Sequence, residues 1–72
     1  MSIAHRIKNR RKELGLTQEA VARTSGISNS GYVMLERGER TDPHVSTLRK
    51  ISKVLHTSVS ELIGEEQEID TR

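Results

Sequence analysis

The sequence predicts an all-α protein folded as a compact bundle of five short helices. Apolar residues recur at three- and four-residue spacing in five separate stretches, which is the period of one helix face. A glycine follows four of these stretches, as is typical of helix ends. Only one of the 72 residues is aromatic, so the core has to consist of aliphatic side chains, which favours packed helices over a sheet.

The first two helices are predicted over residues 2–14 and 18–25. Each begins at or just after a hydroxyl residue, Ser2 or Thr17, whose side-chain oxygen can cap a helix N-terminus. Gly26 stops the second helix, because glycine readily adopts the left-handed conformation that ends helices. Their inner faces are predicted to be Ile3, Ile7 and Leu14 in the first helix and Val21, Ala22 and Ser25 in the second.

The third helix is predicted over residues 29–37, with Ser28 as its N-cap. Tyr32 and Leu35 are three residues apart, and this spacing predicts that both point into the core. We therefore interpret Tyr32 as a core residue in preference to a base-stacking residue. Gly31 lies inside the helix, where glycine costs about 1 kcal/mol relative to alanine.

Residues 39–44 are predicted to form a loop because Pro43 cannot continue a helix. The last two helices are predicted over residues 45–55 and 59–63. Ser58 and Glu61 have the spacing of a capping box at the start of the fifth helix. The predicted core of the bundle is Ile3, Ile7, Leu14, Val21, Ala22, Ile27, Tyr32, Leu35, Leu48, Ile51, Leu55 and Leu62.

Charge is distributed unevenly along the chain. Residues 1–60 hold eleven Lys or Arg and five Asp or Glu, whereas residues 61–72 hold five acids and one arginine. We predict one domain over residues 1–64 and an acidic, disordered tail over residues 65–72. A basic body suits a polyanionic partner, although a solvated surface would have the same composition. Two basic clusters are expected to be solvated, namely Lys8, Arg10 and Lys12 in the first helix and Arg49, Lys50 and Lys53 in the fourth.

Several classes of protein are disfavoured by residues that the sequence lacks. It contains no cysteine, which excludes disulfides and thiolate zinc sites. Its three histidines are scattered without ligand spacing, so we predict no metal site. No Ser-His-Asp set can be argued from the spacing either, so we predict no enzymatic activity and no cofactor. No apolar run approaches the roughly 18 residues that cross a membrane, and no signal-peptide core is visible. These observations favour a cytoplasmic protein.

The second and third predicted helices are separated only by Gly26, Ile27 and Ser28. Two helices joined by a short turn that contains glycine form a helix-turn-helix. Ala22 supplies the small side chain that a close helix crossing needs, and Gly26 can adopt the positive φ of a sharp turn. The joint pattern is more specific than any one of its parts.

A longer run of residues extends this pattern along residues 3–64. It resembles the Cro/repressor-type helix-turn-helix family, also called the XRE family, in which the lambda-repressor-like five-helix bundle places its third helix in the major groove. We expect a homodimer that holds two reading helices one turn of DNA apart on a palindromic operator. The matching residues are Arg6, Ile7, Lys8, Arg11, Lys12, Gly15, Leu16, Thr17 and Gln18, then Ala22, Gly26, Ile27 and Ser28, then Leu35, Glu36, Arg37 and Gly38, then Pro43, Leu48, Ile51 and Leu55.

The resemblance also implies roles for individual residues. It assigns a partly buried ion pair to Arg11 and Glu36. Tyr32 stands where the family usually has isoleucine or valine. The base-contacting candidates on the exposed face of the third helix are Asn29, Ser30, Val33 and Met34. The phosphate-contacting candidates are Thr17 and Gln18 at the start of the second helix, with Arg37, Arg40 and His44 flanking the third.

Val59 and Ile63 in the fifth helix are candidates for the dimer interface, and completing the monomer's own core is the alternative for Ile63. We interpret the chain as a sequence-specific double-stranded DNA-binding transcriptional regulator, a repressor. The main alternative is an antitoxin-type or accessory module that acts through a protein partner. A restriction-modification controller would have the same fold in a different circuit.

Overall fold

The computed structural model describes residues 2–39 and 43–64, and within these ranges five α-helices follow one another without a strand. The all-α bundle predicted from the sequence is therefore confirmed. The predicted tail, residues 65–72, lies outside the described residues. The helices are α1 (Ile3–Glu13), α2 (Gln18–Ser25), α3 (Asn29–Glu36), α4 (Val45–Val54) and α5 (Val59–Ile63).

Local capping sets most of the helix boundaries. Each of the four predicted N-cap hydroxyls accepts a hydrogen bond from the backbone N–H three residues later, and Ser58 and Glu61 form the complete capping box. At the C-terminal ends, α1, α3 and α4 each end one residue earlier than predicted. The residues that were predicted as helical and instead serve as C-caps are Leu14, Arg37 and Leu55.

The core is built from one or more apolar residues of every helix. Tyr32 is fully buried at its centre, as its spacing predicts. Helix α2 packs against α3 and α4, while α1 packs against α3 and α5. Ile3, Leu14 and Ile27 lie at the margin and are only partly buried. The buried cluster consists of Ile7, Val21, Ala22, Tyr32, Leu35, Leu48, Ile51, Leu55 and Leu62.

The turn between α2 and α3 has the geometry that the sequence predicts. Gly26 has φ +78°, in the left-handed region, and the N–H of Ile27 donates to the carbonyl oxygen of Ala22 at 3.0 Å. The side chain of Ala22 is buried, so the crossing of α2 over its neighbours is close. This turn fixes the direction in which α3 leaves α2.

Two arginines of α1 bind the ends of later helices, and one of them corrects a prediction. Arg10 was expected to be solvated, but its Nε donates to the carbonyl oxygen of Leu55 at 2.8 Å and its Nη2 donates to that of His56 at 3.0 Å. It thereby caps the C-terminal end of α4, where carbonyl groups lack helical partners. One turn earlier, Arg6 Nη1 donates to the carbonyl oxygen of Glu61 in α5 at 3.3 Å.

None of the helices in the described ranges has the length and apolar character needed to cross a bilayer. The same ranges contain no group of three or more histidine, cysteine, aspartate or glutamate side chains arranged to hold a metal ion.

Candidate nucleic-acid interface

Helix α3 has one buried face and one exposed face. Tyr32, Leu35 and Glu36 are buried, and their three- and four-residue spacing places them on the same side of the helix. The opposite side carries the predicted base-contacting residues. Of these, Asn29, Ser30 and Met34 are exposed and Val33 is half-buried. The helix therefore presents two polar and two apolar side chains on a surface that the core holds in place.

The first turn of α3 is held by Ser28. Its Oγ accepts a hydrogen bond from the N–H of Gly31 at 3.1 Å. A Cβ atom added at Gly31 would lie only 2.8 Å from that Oγ, so a larger residue would force the capping hydroxyl to shift. The caps of α1, α2 and α5 have His5, Ala20 and Glu61 at the equivalent position, so a side chain there remains compatible with capping.

The start of α2 carries the first two predicted phosphate-contacting residues. The Oγ1 of Thr17 accepts from the N–H of Ala20 at 3.0 Å, which leaves its own hydroxyl hydrogen able to point outward. The Nε2 of Gln18 donates to Glu36 Oε1 at 3.0 Å. The side chain of Gln18 is therefore oriented by α3, and only part of its hydrogen-bonding capacity remains for a ligand.

Glu36 lies at the centre of a polar network below the exposed face of α3. Arg11 Nε donates to Glu36 Oε2 at 2.6 Å and Arg11 Nη2 donates to Oε1 at 3.1 Å, which is a bidentate ion pair. The two side chains are 12% and 2% exposed. Arg11 Nη1 also donates to the carbonyl oxygen of Leu16 at 2.8 Å. The network joins α1 to α3 and to the loop before α2.

The hydroxyl group of Tyr32 donates to the same carboxylate. Burial raises the pKa of Glu36, but the hydrogen bonds from Arg11, Tyr32 and Gln18 outweigh burial and hold it below the usual value. Conversely, burial and the bond to Glu36 raise the pKa of Tyr32. Glu36 is therefore ionised and fully engaged inside the fold. The predicted ion pair left out Tyr32 and Gln18, although the four-residue spacing of Tyr32 and Glu36 on one helix was a usable signal.

The basic residues that flank α3 differ in their surroundings. Arg37 is exposed, and its Nε lies 3.6 Å from Oε2 of Glu39, which the sequence had not suggested as part of this surface. His44 is exposed at the N-cap of α4 and makes no side-chain capping bond. Arg40, the third predicted contact, lies outside the described residues.

The two residues predicted at a dimer interface differ in burial. Val59 is half-buried and packs against the core of its own chain. Ile63, one turn later in α5, is 39% exposed. Of the two, only Ile63 presents a largely exposed apolar side chain at this end of the bundle.

Comparison with known proteins identifies the bundle. A family model described as helix-turn-helix matches residues 7–62. The chain belongs to this helix-turn-helix family. It is 37% identical over 68 residues to the HTH-type transcriptional regulator SinR of Bacillus subtilis (strain 168), and 39% identical over 66 residues to the immunity repressor protein of Bacillus phage phi105. These alignments cover 94% and 92% of the chain but only 61% and 45% of the two relatives.

Solved structures of the helix-turn-helix family have the same fold. The P22 c2 repressor in complex with a synthetic operator superposes with a TM-score of 0.81 at 33% identity, covering 88% of this chain and 94% of that chain. SinR in complex with DNA superposes with a TM-score of 0.80 at 38% identity, covering 83% of this chain and 95% of that chain. The SinR–SinI protein complex superposes with a TM-score of 0.84 at 37% identity, covering 93% of this chain and 65% of that chain.

Proposed function

We propose that this chain is a sequence-specific DNA-binding transcriptional regulator, a repressor, that reads the major groove of duplex DNA with α3. The observation that carries this proposal is that α3 has one exposed face. Its other face is held in place by the core and by Glu36. The family match, the transcriptional-regulator and immunity-repressor relatives and the two neighbours solved with an operator or DNA support it. Such a role requires binding and no catalysis.

The four residues of this face suit direct readout of base pairs. The carboxamide of Asn29 can form two hydrogen bonds with an adenine, and the hydroxyl of Ser30 can bond to more than one base. Val33 and Met34 are apolar and suit contact with thymine methyl groups. We infer that hydrogen-bonded recognition is concentrated in the first turn of α3 and apolar recognition in the second.

Phosphate contacts on both sides of α3 would set the position of the protein on the duplex. We assign them to Thr17 and Gln18 at the N-terminus of α2, and to Arg37 and His44 on the other side. Arg40, in the same loop sequence, is included on its charge alone. Phosphate contacts determine affinity and register and carry no sequence information directly.

We propose that two copies pair through α5, with Ile63 at the centre of the interface. A two-fold dimer places its reading helices one helical turn of DNA apart, roughly 34 Å, and therefore requires a palindromic operator. Residues 1–64 form the DNA-binding domain in this proposal and residues 65–72 an acidic tail. The protein would act in the cytoplasm, at the nucleoid when bound.

Selection of bound sequences from a pool of random duplexes tests the proposal directly. We expect enrichment of one motif with two inverted half-sites whose centres are separated by about 10 base pairs. Substitution of Asn29 should change the preferred base at one position of each half-site, whereas Arg37→Ala should weaken all sequences about equally. Recovery of no motif would contradict sequence-specific binding.

A second candidate function is that of a module that acts mainly by binding a protein partner. The observation that favours it is the similarity to SinR as found in the SinR–SinI protein complex. Salt dependence separates the two functions, because neutralised phosphates release counterions and DNA affinity falls steeply as salt rises. An absent or salt-insensitive affinity for duplex DNA would favour the protein-partner module.

A further inference from the structure

A groove of about 500 Å³ opens between the C-terminal ends of α2 and α4. It contains none of the residues proposed to contact DNA. Within the described part of the chain, two lysines and a histidine line it and no acidic residue does. The lining residues are Thr24, Ser25, Lys50, Lys53, Val54 and His56.

The groove is remote from the proposed phosphate contacts along both helices. With a rise of 1.5 Å per residue, Ser25 lies roughly 10 Å along α2 from Gln18. By the same measure, Lys53 lies roughly 13 Å along α4 from His44. The groove therefore lies about two helical turns from the proposed phosphate contacts along each helix.

Ser25 is the most buried residue in this lining. It is only 6% exposed, and its Oγ has no hydrogen-bond partner among the described residues. Buried hydroxyl groups are nearly always hydrogen-bonded, because a buried polar group without a partner is unfavourable. Because Ser25 lines the groove, a small rotation of its side chain would let this hydroxyl donate to an acceptor atom held there.

The lysines define the charge of the acceptor. Lys50 and Lys53 are three residues apart and are therefore neighbours on the surface of α4. Half-buried Val54 and the aliphatic stems of the lysines supply an apolar wall beside the two ammonium groups. A solvated lysine face would account for the charge but not for the buried hydroxyl of Ser25.

We propose that this groove binds a small organic anion, namely a carboxylate or a phosphate monoester attached to an apolar body. Lys50 and Lys53 would pair with the anionic group, Thr24 and Ser25 would donate hydrogen bonds to it, and Val54 would contact the apolar body. The proposal concerns a surface separate from α3 and does not depend on the function assigned above.

The test is a titration of the ¹⁵N-labelled full chain without DNA, in which binding is measured from changes in the amide chemical shifts. The probes are phenyl phosphate and benzoate, with benzyl alcohol as the uncharged control. We expect saturable shifts concentrated at the groove residues with the anions and not with the alcohol. The tighter of the two anions identifies the anionic group that the groove prefers. Absence of saturation, equal shifts with benzyl alcohol, or shifts spread over all basic residues would overturn the proposal.

Variants distinguish specific anion binding in the groove from nonspecific attraction to the basic surface. Lys50→Gln and Lys53→Gln should each weaken anion binding about tenfold, because a charge-assisted hydrogen bond is lost. Ser25→Ala should weaken it about fivefold through loss of a neutral donor. Arg49→Gln removes one charge from the same helix outside the groove and should leave affinity unchanged. Unaltered affinity in the Lys50→Gln/Lys53→Gln double variant would refute the proposal, with folding checked by circular dichroism.

Discussion

Gln18 of α2 donates a hydrogen bond of 3.0 Å to the carboxylate of Glu36 in α3. A residue proposed to contact phosphate is thus held by the helix proposed to read the bases. Because the same carboxylate binds Arg11 of α1, three helices share one buried charge. The position of the reading helix therefore depends on a group that itself never needs to touch DNA.

Glu36→Gln should destabilise the fold strongly. The substitution leaves the guanidinium of Arg11 buried without a countercharge, which typically costs about 3–5 kcal/mol. Urea denaturation followed by circular dichroism measures the loss. Glu13→Gln is the matched control, because its ion pair with Arg10 is exposed and should contribute about 1 kcal/mol or less. An unchanged midpoint for Glu36→Gln would show that the network is dispensable.

The free energy of unfolding should decrease at low pH because Glu36 becomes protonated. The folded-state pKa of Glu36 is held below its usual value, so its contribution is complete above the unfolded pKa of about 4.3. That contribution is lost as pH falls from there through the folded-state pKa, because the unfolded chain binds the proton more readily. Denaturation curves between pH 7 and pH 2.5 should show a smaller acid loss in Glu36→Gln than in the parent chain. Parallel pH profiles would contradict this assignment.

Tyr32→Phe should cost about 1.5–3 kcal/mol, the usual value of a hydrogen bond to a charged group. The aromatic ring would still fill the core, so the change isolates the hydroxyl that donates to Glu36. Thermal denaturation of Tyr32→Phe, Glu36→Gln and the double variant would give the coupling energy of the pair. Additive effects would mean that the hydroxyl and the carboxylate act independently.

His56→Gly should stabilise the domain by about 0.5–1 kcal/mol. His56 has φ +55°, in the left-handed region where residues with a Cβ are strained and glycine is not. Its backbone carbonyl, which accepts from Arg10, is kept by the substitution. Arg49→Gly, within the exposed part of α4, is the opposite control and should cost about 1 kcal/mol. A lower melting temperature for His56→Gly would show that its side chain outweighs the backbone strain.

Glu39→Gln should tighten DNA binding about two- to fivefold at low salt. The carboxylate of Glu39 lies beside Arg37 and would repel the phosphates that Arg37 is proposed to contact. Fluorescence anisotropy with a selected duplex at several salt concentrations measures the effect, which should shrink as salt screens it. Glu13→Gln makes the same change in net charge beside Arg10 of α1 and should have little effect. Equal gains in both variants would indicate net charge alone.

The features that could be predicted from sequence are those set by nearby residues. Ser28, Gly26 and the pair Ser58–Glu61 act within a few positions, so the helix starts and the sharp turn follow from local chemistry. The burial of Tyr32 follows from helical period. The role of Arg10 did not follow, because its partner Leu55 is 45 residues away and any exposed arginine on α1 has the same local pattern.

In the candidate site, too, some features follow from the local sequence and others depend on tertiary packing. Which residues of α3 face outward is a matter of period, and the structure places Asn29, Ser30 and Met34 on the exposed side. The engagement of Gln18 by Glu36 depends on where side chains 18 residues apart meet, whereas Arg37 and Glu39 are close in sequence and their pair could have been predicted. Val59 and Ile63 show the same limit, because only packing determines which of two apolar residues on a short helix stays exposed.

Arg6 of α1 donates to the carbonyl oxygen of Glu61, and Arg10 donates to those of Leu55 and His56. During synthesis α1 emerges first, and these partners emerge after most of the domain has been made. A nascent chain that still holds residues 55–63 inside the ribosome therefore cannot cap α4 and α5 from α1. The order of translation thus delays completion of the bundle until its last helix is released, and truncation before residue 55 would leave α1 without either of these anchors.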